Sequence, residues 1–126
     1  MKMIPKFYHG VLDYISGLLL LAAPNLLGFA EIGGVTAWLP RIVGVMILLQ
    51  ALMTDYELGL MKVIPIAIHL MADYAIGAVL LLAPFVFGIS GRSVIATLLL
   101  VMMAIVAFGA AFMTQPRGRP RELIQG

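Results

Sequence analysis

Cysteine is absent from the 126 residues, which excludes disulfides, thiolate metal sites, thiol nucleophiles and covalent c-type haem attachment. Charge is nearly as scarce: 11% of residues are Asp, Glu, Lys or Arg, against 63% hydrophobic, and the mean hydropathy is +1.09. A water-soluble domain, in which about a quarter of residues are charged, is excluded by that balance. The chain also lacks a phosphate-binding Gly-rich loop ending in Lys-Ser/Thr and a nucleophile elbow. Nucleotide-driven and hydrolytic chemistry therefore have no residues behind them, and nothing in the chain points to an enzyme. No basic face is interleaved with aromatics, so nucleic acid is not an expected partner.

What remains is apolar sequence in four stretches, roughly Pro5 to Leu27, Val35 to Met53, Pro65 to Phe87 and Ser93 to Met113. Each approaches the ~20 residues that cross ~30 Å of hydrocarbon as helix. Backbone polar groups in lipid must be satisfied within the segment, and the alternation is too weak for barrel strands. The expectation is an all-α protein with four transmembrane helices and the lipid bilayer as its first partner. The first stretch resembles a signal peptide in having Lys2 and Lys6 before an apolar run and Gly28-Phe29-Ala30 after it. Against that, it carries His9 and Asp13, and a matching segment recurs in mid-chain. Lys2, Lys6, Lys62, Arg117, Arg119 and Arg121 fall on the side shared by both termini and the central loop, with only Arg41 and Arg92 near the other connections. By the positive-inside rule both termini are cytoplasmic, and the Arg-rich tail sits beside anionic headgroups.

The chain repeats itself. Ile4-Pro5, His9, Asp13-Tyr14, Gly17, Pro24 and Gly28 recur as Ile64-Pro65, His69, Asp73-Tyr74, Gly77, Pro84 and Gly88, each displaced by 60 residues. Two crossings per copy is an even number, so the copies run the same way, related by an axis along the membrane normal. The expected division is a first two-helix repeat over 1–60, a second over 61–115 and a cytoplasmic tail over 116–126. Pro24 and Pro84, followed by Gly28 and Gly88, read as kinks or exits near the outer ends of their helices. Trp38 and Pro40 read as an outer anchor and the start of the second helix, Ser93 as a cap of the fourth, and Thr54-Asp55-Tyr56-Glu57 as a capping box in the inner loop.

Ionisable residues are costly to hold among aliphatics and are a functional-site hypothesis by default. Residues four apart share a helix face, so His9, Asp13 and Gly17 form one stripe and His69, Asp73 and Gly77 its counterpart. The glycines, as small residues at a membrane seam, are expected to let the first and third helices approach with both His-Asp pairs turned inward. Gln50 on the second helix is a further polar partner; Tyr14 and Tyr74 point away by about 100° and suit inter-helix hydrogen bonds. Three readings stay open. The cluster relays a proton or cation; or the two histidines ligate a b-type haem or, with the aspartates, a metal ion; or His and Asp hydrogen-bond across the seam and fix register. Four slim helices bury little area for a monomer, so self-association into a homo-oligomer is expected.

The repeated Pro-x3-His-x3-Asp-Tyr-x2-Gly, the Ala-Pro-x3-Gly segments Ala23 to Gly28 and Ala83 to Gly88, and Thr54-Asp55-Tyr56-Glu57-Leu58-Gly59 resemble the SPW-repeat family of small bacterial integral membrane proteins. The family's Ser-Pro-Trp reads Ala23-Pro24-Asn25 in one copy and Ala83-Pro84-Phe85 in the other. The resemblance covers almost the whole chain. It implies two tandem two-helix repeats in a bacterial inner membrane, and it brings no activity with it.

Overall fold

The structure is a computed structural model that describes residues 4–55 and 58–114. Four helices follow one another: α1 (Lys6–Leu26), α2 (Gly34–Met53), α3 (Ile66–Val86) and α4 (Val94–Met113). Each has 20 or 21 residues and is long and apolar enough to cross a membrane, since 20 residues rising 1.5 Å each span about 30 Å. α1 packs on α2 and α3 on α4. The protein is thus two tandem, parallel helical hairpins, and the large apolar side chains left exposed, such as Ile15, Leu18, Trp38, Ile68 and Ile105, face lipid.

Local chemistry fixes the helix ends. Pro5 and Pro65 stand immediately before α1 and α3, where a missing N–H costs no helical hydrogen bond. α1 closes in a Schellman turn: Gly28 has φ +81°, and the Phe29 N–H donates to the Pro24 carbonyl at 3.0 Å. Ser93 caps α4 by accepting from the Ala96 N–H at 3.0 Å. Pro24 and Pro84 lie inside the last turn of their helices and mark exits. Pro40 does not begin α2, which starts six residues earlier at Gly34 after a glycine turn at Gly33 with φ +69°; the paired glycines, not the proline, reverse the chain. Thr54 closes α2 as its C-terminal cap, so the inner loop does not open on it as a capping box. Tyr56, Glu57 and the tail over 116–126 lie outside the described residues, as does Lys2.

The two hairpins are joined in the same way twice, at the end that carries Ile4, Thr54, Ile64 and Thr114. The Ile64 N–H donates to the Met53 carbonyl at 2.7 Å, and the Ile4 N–H donates to the Met113 carbonyl at 2.8 Å. The second bond has no short covalent connection behind it, so α4 returns to the start of α1 and the ring of helices closes. Toward the opposite end the interior is built on Leu20, Leu80, Ile47, Met103, Leu100, Phe29 and Ile89, with Thr36 the buried polar side chain there among the described residues.

Gly17 and Gly77 face their own hairpin partners and not each other. A Cβ on Gly17 would meet Leu48 at 2.7 Å and the Gly44 carbonyl at 3.0 Å, and one on Gly77 would meet the Phe108 ring at 2.9 Å. The helix periodicity does place each glycine below its Asp. The polar groups, however, occupy the space between α1 and α3, so the glycines serve contacts one face away, Gly17 at a close backbone approach to α2 and Gly77 beneath the Phe108 ring of α4.

Candidate functional site: a buried two-histidine, two-aspartate cluster

His9, Asp13, His69 and Asp73 are all buried, and they converge where α1 and α3 face each other near their N-terminal ends. One potential ligand atom from each lies within 4.8 Å of the others. The shortest contacts cross between the repeats: His9 Nε2 is 2.8 Å from Asp73 Oδ2, and His69 Nε2 is 2.8 Å from Asp13 Oδ2. The contacts within each helix are longer, 3.4 Å for His9 with Asp13 and 3.3 Å for His69 with Asp73. Residues i and i+4 lie alongside on one helix face, and here each imidazole comes closer to the carboxylate of the facing helix than to the one on its own. The two imidazoles meet edge to face, centroids 5.2 Å apart and planes at 80°.

Each histidine is fixed from behind by a threonine at the end of a neighbouring helix. His9 Nδ1 lies 2.7 Å from Thr114 Oγ1, and His69 Nδ1 lies 2.5 Å from Thr54 Oγ1. Both hydroxyls donate their single proton to the carbonyl one turn back, Thr114 to Ala110 at 2.5 Å and Thr54 to Gln50 at 2.6 Å. A hydroxyl that has spent its proton only accepts, so each Nδ1 carries the hydrogen and donates it. The ring orientation and tautomer follow from that network: both Nε2 atoms point at the carboxylates. Neither threonine belongs to the His-x-x-x-Asp-Tyr motif, yet both obey the offset of 60 residues, and that match at the helix ends is the sequence signal that marks them.

Gln50, on α2, donates to the His69 carbonyl at 3.2 Å and to Asp73 Oδ1 at 3.4 Å. Tyr14 and Tyr74 lie outside the cluster. The Tyr14 hydroxyl donates to the Leu58 carbonyl at 2.7 Å, tying α1 to the inner loop, while the Tyr74 ring packs against Phe108 with centroids 6.2 Å apart. Beside the carboxylates lies a cavity of about 30 Å³, bordered by Asp13, Asp73, Ser16 and apolar residues of all four helices. A polar-edged cavity of that size has room for an ordered water.

The arrangement limits its chemistry. A porphyrin has no place between histidines whose rings touch edge to face with two carboxylates at their Nε2 atoms. Among the described residues, the buried polar side chains besides these four are Thr36, Thr54 and Thr114, so no second ionisable group continues toward the outer end. The cluster presents two imidazole nitrogens and two carboxylates, oriented by their neighbours and buried among the helices. No curated protein and no solved structure matches the chain. The model of the SPW repeat domain matches residues 7–114, a span that takes in both hairpins and all four cluster residues, and the chain belongs to that family of membrane proteins.

Proposed function

We propose that the protein is a membrane-embedded binder of a metal cation, held at His9, Asp13, His69 and Asp73. The observation that carries this reading is the convergence of four potential ligand atoms within 4.8 Å inside an otherwise apolar bundle. A pair of carboxylates there is expensive unless their charge is balanced. Conduction across the bilayer has less support, because the outer half is filled by Leu20, Leu80, Ile47 and Met103. Lys6 and Lys62 flank the cluster end in sequence, which supports an inner-membrane placement with both termini and the central loop cytoplasmic, so the site lies in the cytoplasmic half of the bilayer.

A second reading, a polar staple between repeats, is favoured by the two 2.8 Å contacts that cross from one hairpin to the other. The experiment that separates them is thermal unfolding of the purified protein in mild detergent against a panel of monovalent and divalent cations. A ligand bound only by the folded state stabilises it by about 2.7 kcal/mol at a hundred times its Kd. The cation reading expects a raised Tm in the wild type and none in the Asp13→Asn, Asp73→Asn double variant. No shift with any cation leaves the staple reading alone.

A further inference from the structure

We propose that the cluster is a tetrahedral site for a divalent d-block cation of the zinc class, with Thr54 and Thr114 as its positioning residues. This rests on the cation reading above and names the class of ion.

The donor set makes the first selection. Calcium takes six to eight oxygen ligands and magnesium a near-ideal octahedron of oxygens. Here half of the converging atoms are imidazole nitrogens, which suit zinc, copper, iron and nickel. Four protein ligands are also the number that a closed zinc site uses.

Spacing makes the second selection. Bonds of 2.0–2.2 Å from zinc to His nitrogen and carboxylate oxygen put neighbouring ligands of a tetrahedron about 3.3–3.5 Å apart. Asp73 Oδ2 lies 2.8 Å from His9 Nε2 and 3.3 Å from His69 Nε2, and Asp13 Oδ2 lies 2.8 Å from His69 Nε2. One of these edges already matches, and the two short ones need to open by about half an ångström, the difference between a hydrogen bond and the edge of a coordination tetrahedron; any wider separation in the donor set, which lies within 4.8 Å throughout, has to close. The cavity of about 30 Å³ beside Asp13 and Asp73 gives the carboxylates room to draw back.

Charge makes the third. Two carboxylates and two neutral imidazoles carry −2, which one divalent cation cancels, and a neutral assembly avoids the cost of net charge in a medium of low dielectric. A monovalent ion leaves the site at −1.

The threonines complete the assignment. A metal-bound histidine characteristically donates its other ring N–H to an acceptor that fixes tautomer and orientation. Thr54 and Thr114 supply that acceptor, once per histidine, because their own protons are committed to the Gln50 and Ala110 carbonyls. Gln50 does the corresponding work for one carboxylate, engaging Asp73 Oδ1 and leaving Oδ2, the oxygen nearest both histidines, for the ion.

The test uses the full chain in detergent, stripped with a chelator and titrated with Co2+ alone, then with Zn2+ in competition. The expected result is one Co2+ per chain with the intense visible absorption of tetrahedral cobalt, bleached by Zn2+ and unaffected by Mg2+ or Ca2+. Thr54→Val with Thr114→Val should weaken Zn2+ binding about 10–100-fold, the usual cost of losing an orienting partner, and Thr54→Ser with Thr114→Ser should restore it. Equal affinity in the valine and wild-type proteins overturns the positioning role. If the valine variant does not fold, the wild-type cobalt spectrum still decides the ion class. Stabilisation by Mg2+, Ca2+ or an alkali cation without a tetrahedral cobalt spectrum overturns the zinc-class assignment while leaving the cation reading intact; silence toward every cation overturns both.

Discussion

The two hairpins agree at His9 and His69, Asp13 and Asp73, Thr54 and Thr114, and at the Met53–Ile64 and Met113–Ile4 backbone bonds. They differ nearby. Gly44 of the first corresponds to Ala104 of the second, Leu48 to Phe108 and Gln50 to Ala110. As a result α1 and α2 approach backbone to backbone, a Cβ on Gly44 lying 2.7 Å from the Gly17 carbonyl, whereas α3 and α4 are spaced by the Phe108 ring. Packing between helices tolerates many solutions of similar volume. A polar cluster in lipid tolerates few, since each donor and acceptor needs a partner at hydrogen-bond distance. Symmetry therefore survives at the two histidines, two aspartates and two threonines, and relaxes in the apolar contacts and at Gln50, which supports Asp73 alone.

The largest effect should come from breaking what the repeats share. Asp13→Asn or Asp73→Asn leaves the opposite histidine without its carboxylate, and each should cost about 3–5 kcal/mol, the range for a broken buried pair. Nearly equal losses in thermal unfolding are the outcome expected of a symmetric cluster; a large effect from one alone would show that the repeats are not equivalent there.

Glycine substitutions test the opposite half of the comparison. Gly44→Ala drives a methyl into the α1 backbone and should lower stability by about 1–3 kcal/mol or more. Gly77→Ala meets only the edge of the Phe108 ring, which can turn, and should fall at the low end of that range. Reversal of this order in melting experiments would contradict the spacing described for the two hairpins.

Smaller still is the difference between the tyrosines. Tyr14→Phe removes a bond to the Leu58 carbonyl and should cost about 1 kcal/mol, while Tyr74→Phe, which keeps the ring against Phe108, should leave the melting temperature where it is. Helix starts differ as well, Ser93 capping α4 while α2 begins on Gly33. Ser93→Ala should cost about 1 kcal/mol, and hydrogen exchange should report it as faster exchange in the first turn of α4.

Four spans, the duplication and the stripes His9–Asp13 and His69–Asp73 were all legible in the chain. Hydropathy over twenty residues and a period of 3.6 are local properties that need no knowledge of neighbours. The threonines were not legible by the same means. Thr54 and Thr114 matter only because the end of one hairpin's second helix meets the start of the other hairpin's first, and nothing local to either threonine says so. The seam glycines were legible as small residues but not as to which helix they admit. Pro40 misled for a related reason: a proline suits an N-terminal turn, but Gly33-Gly34 reverse the chain before it.

Sequence by itself determined that this protein is four membrane-crossing helices in two copies, with an imidazole and a carboxylate on the same face of each odd-numbered helix, because hydrophobic length and helical period are written residue by residue. Only the tertiary structure decided that each histidine pairs first with the aspartate of the other copy and leans on a threonine at the end of the other hairpin. For His9 those contacts join residues 64 and 105 positions apart, and such partners are chosen by how two hairpins pack and close their ring, which no local rule contains.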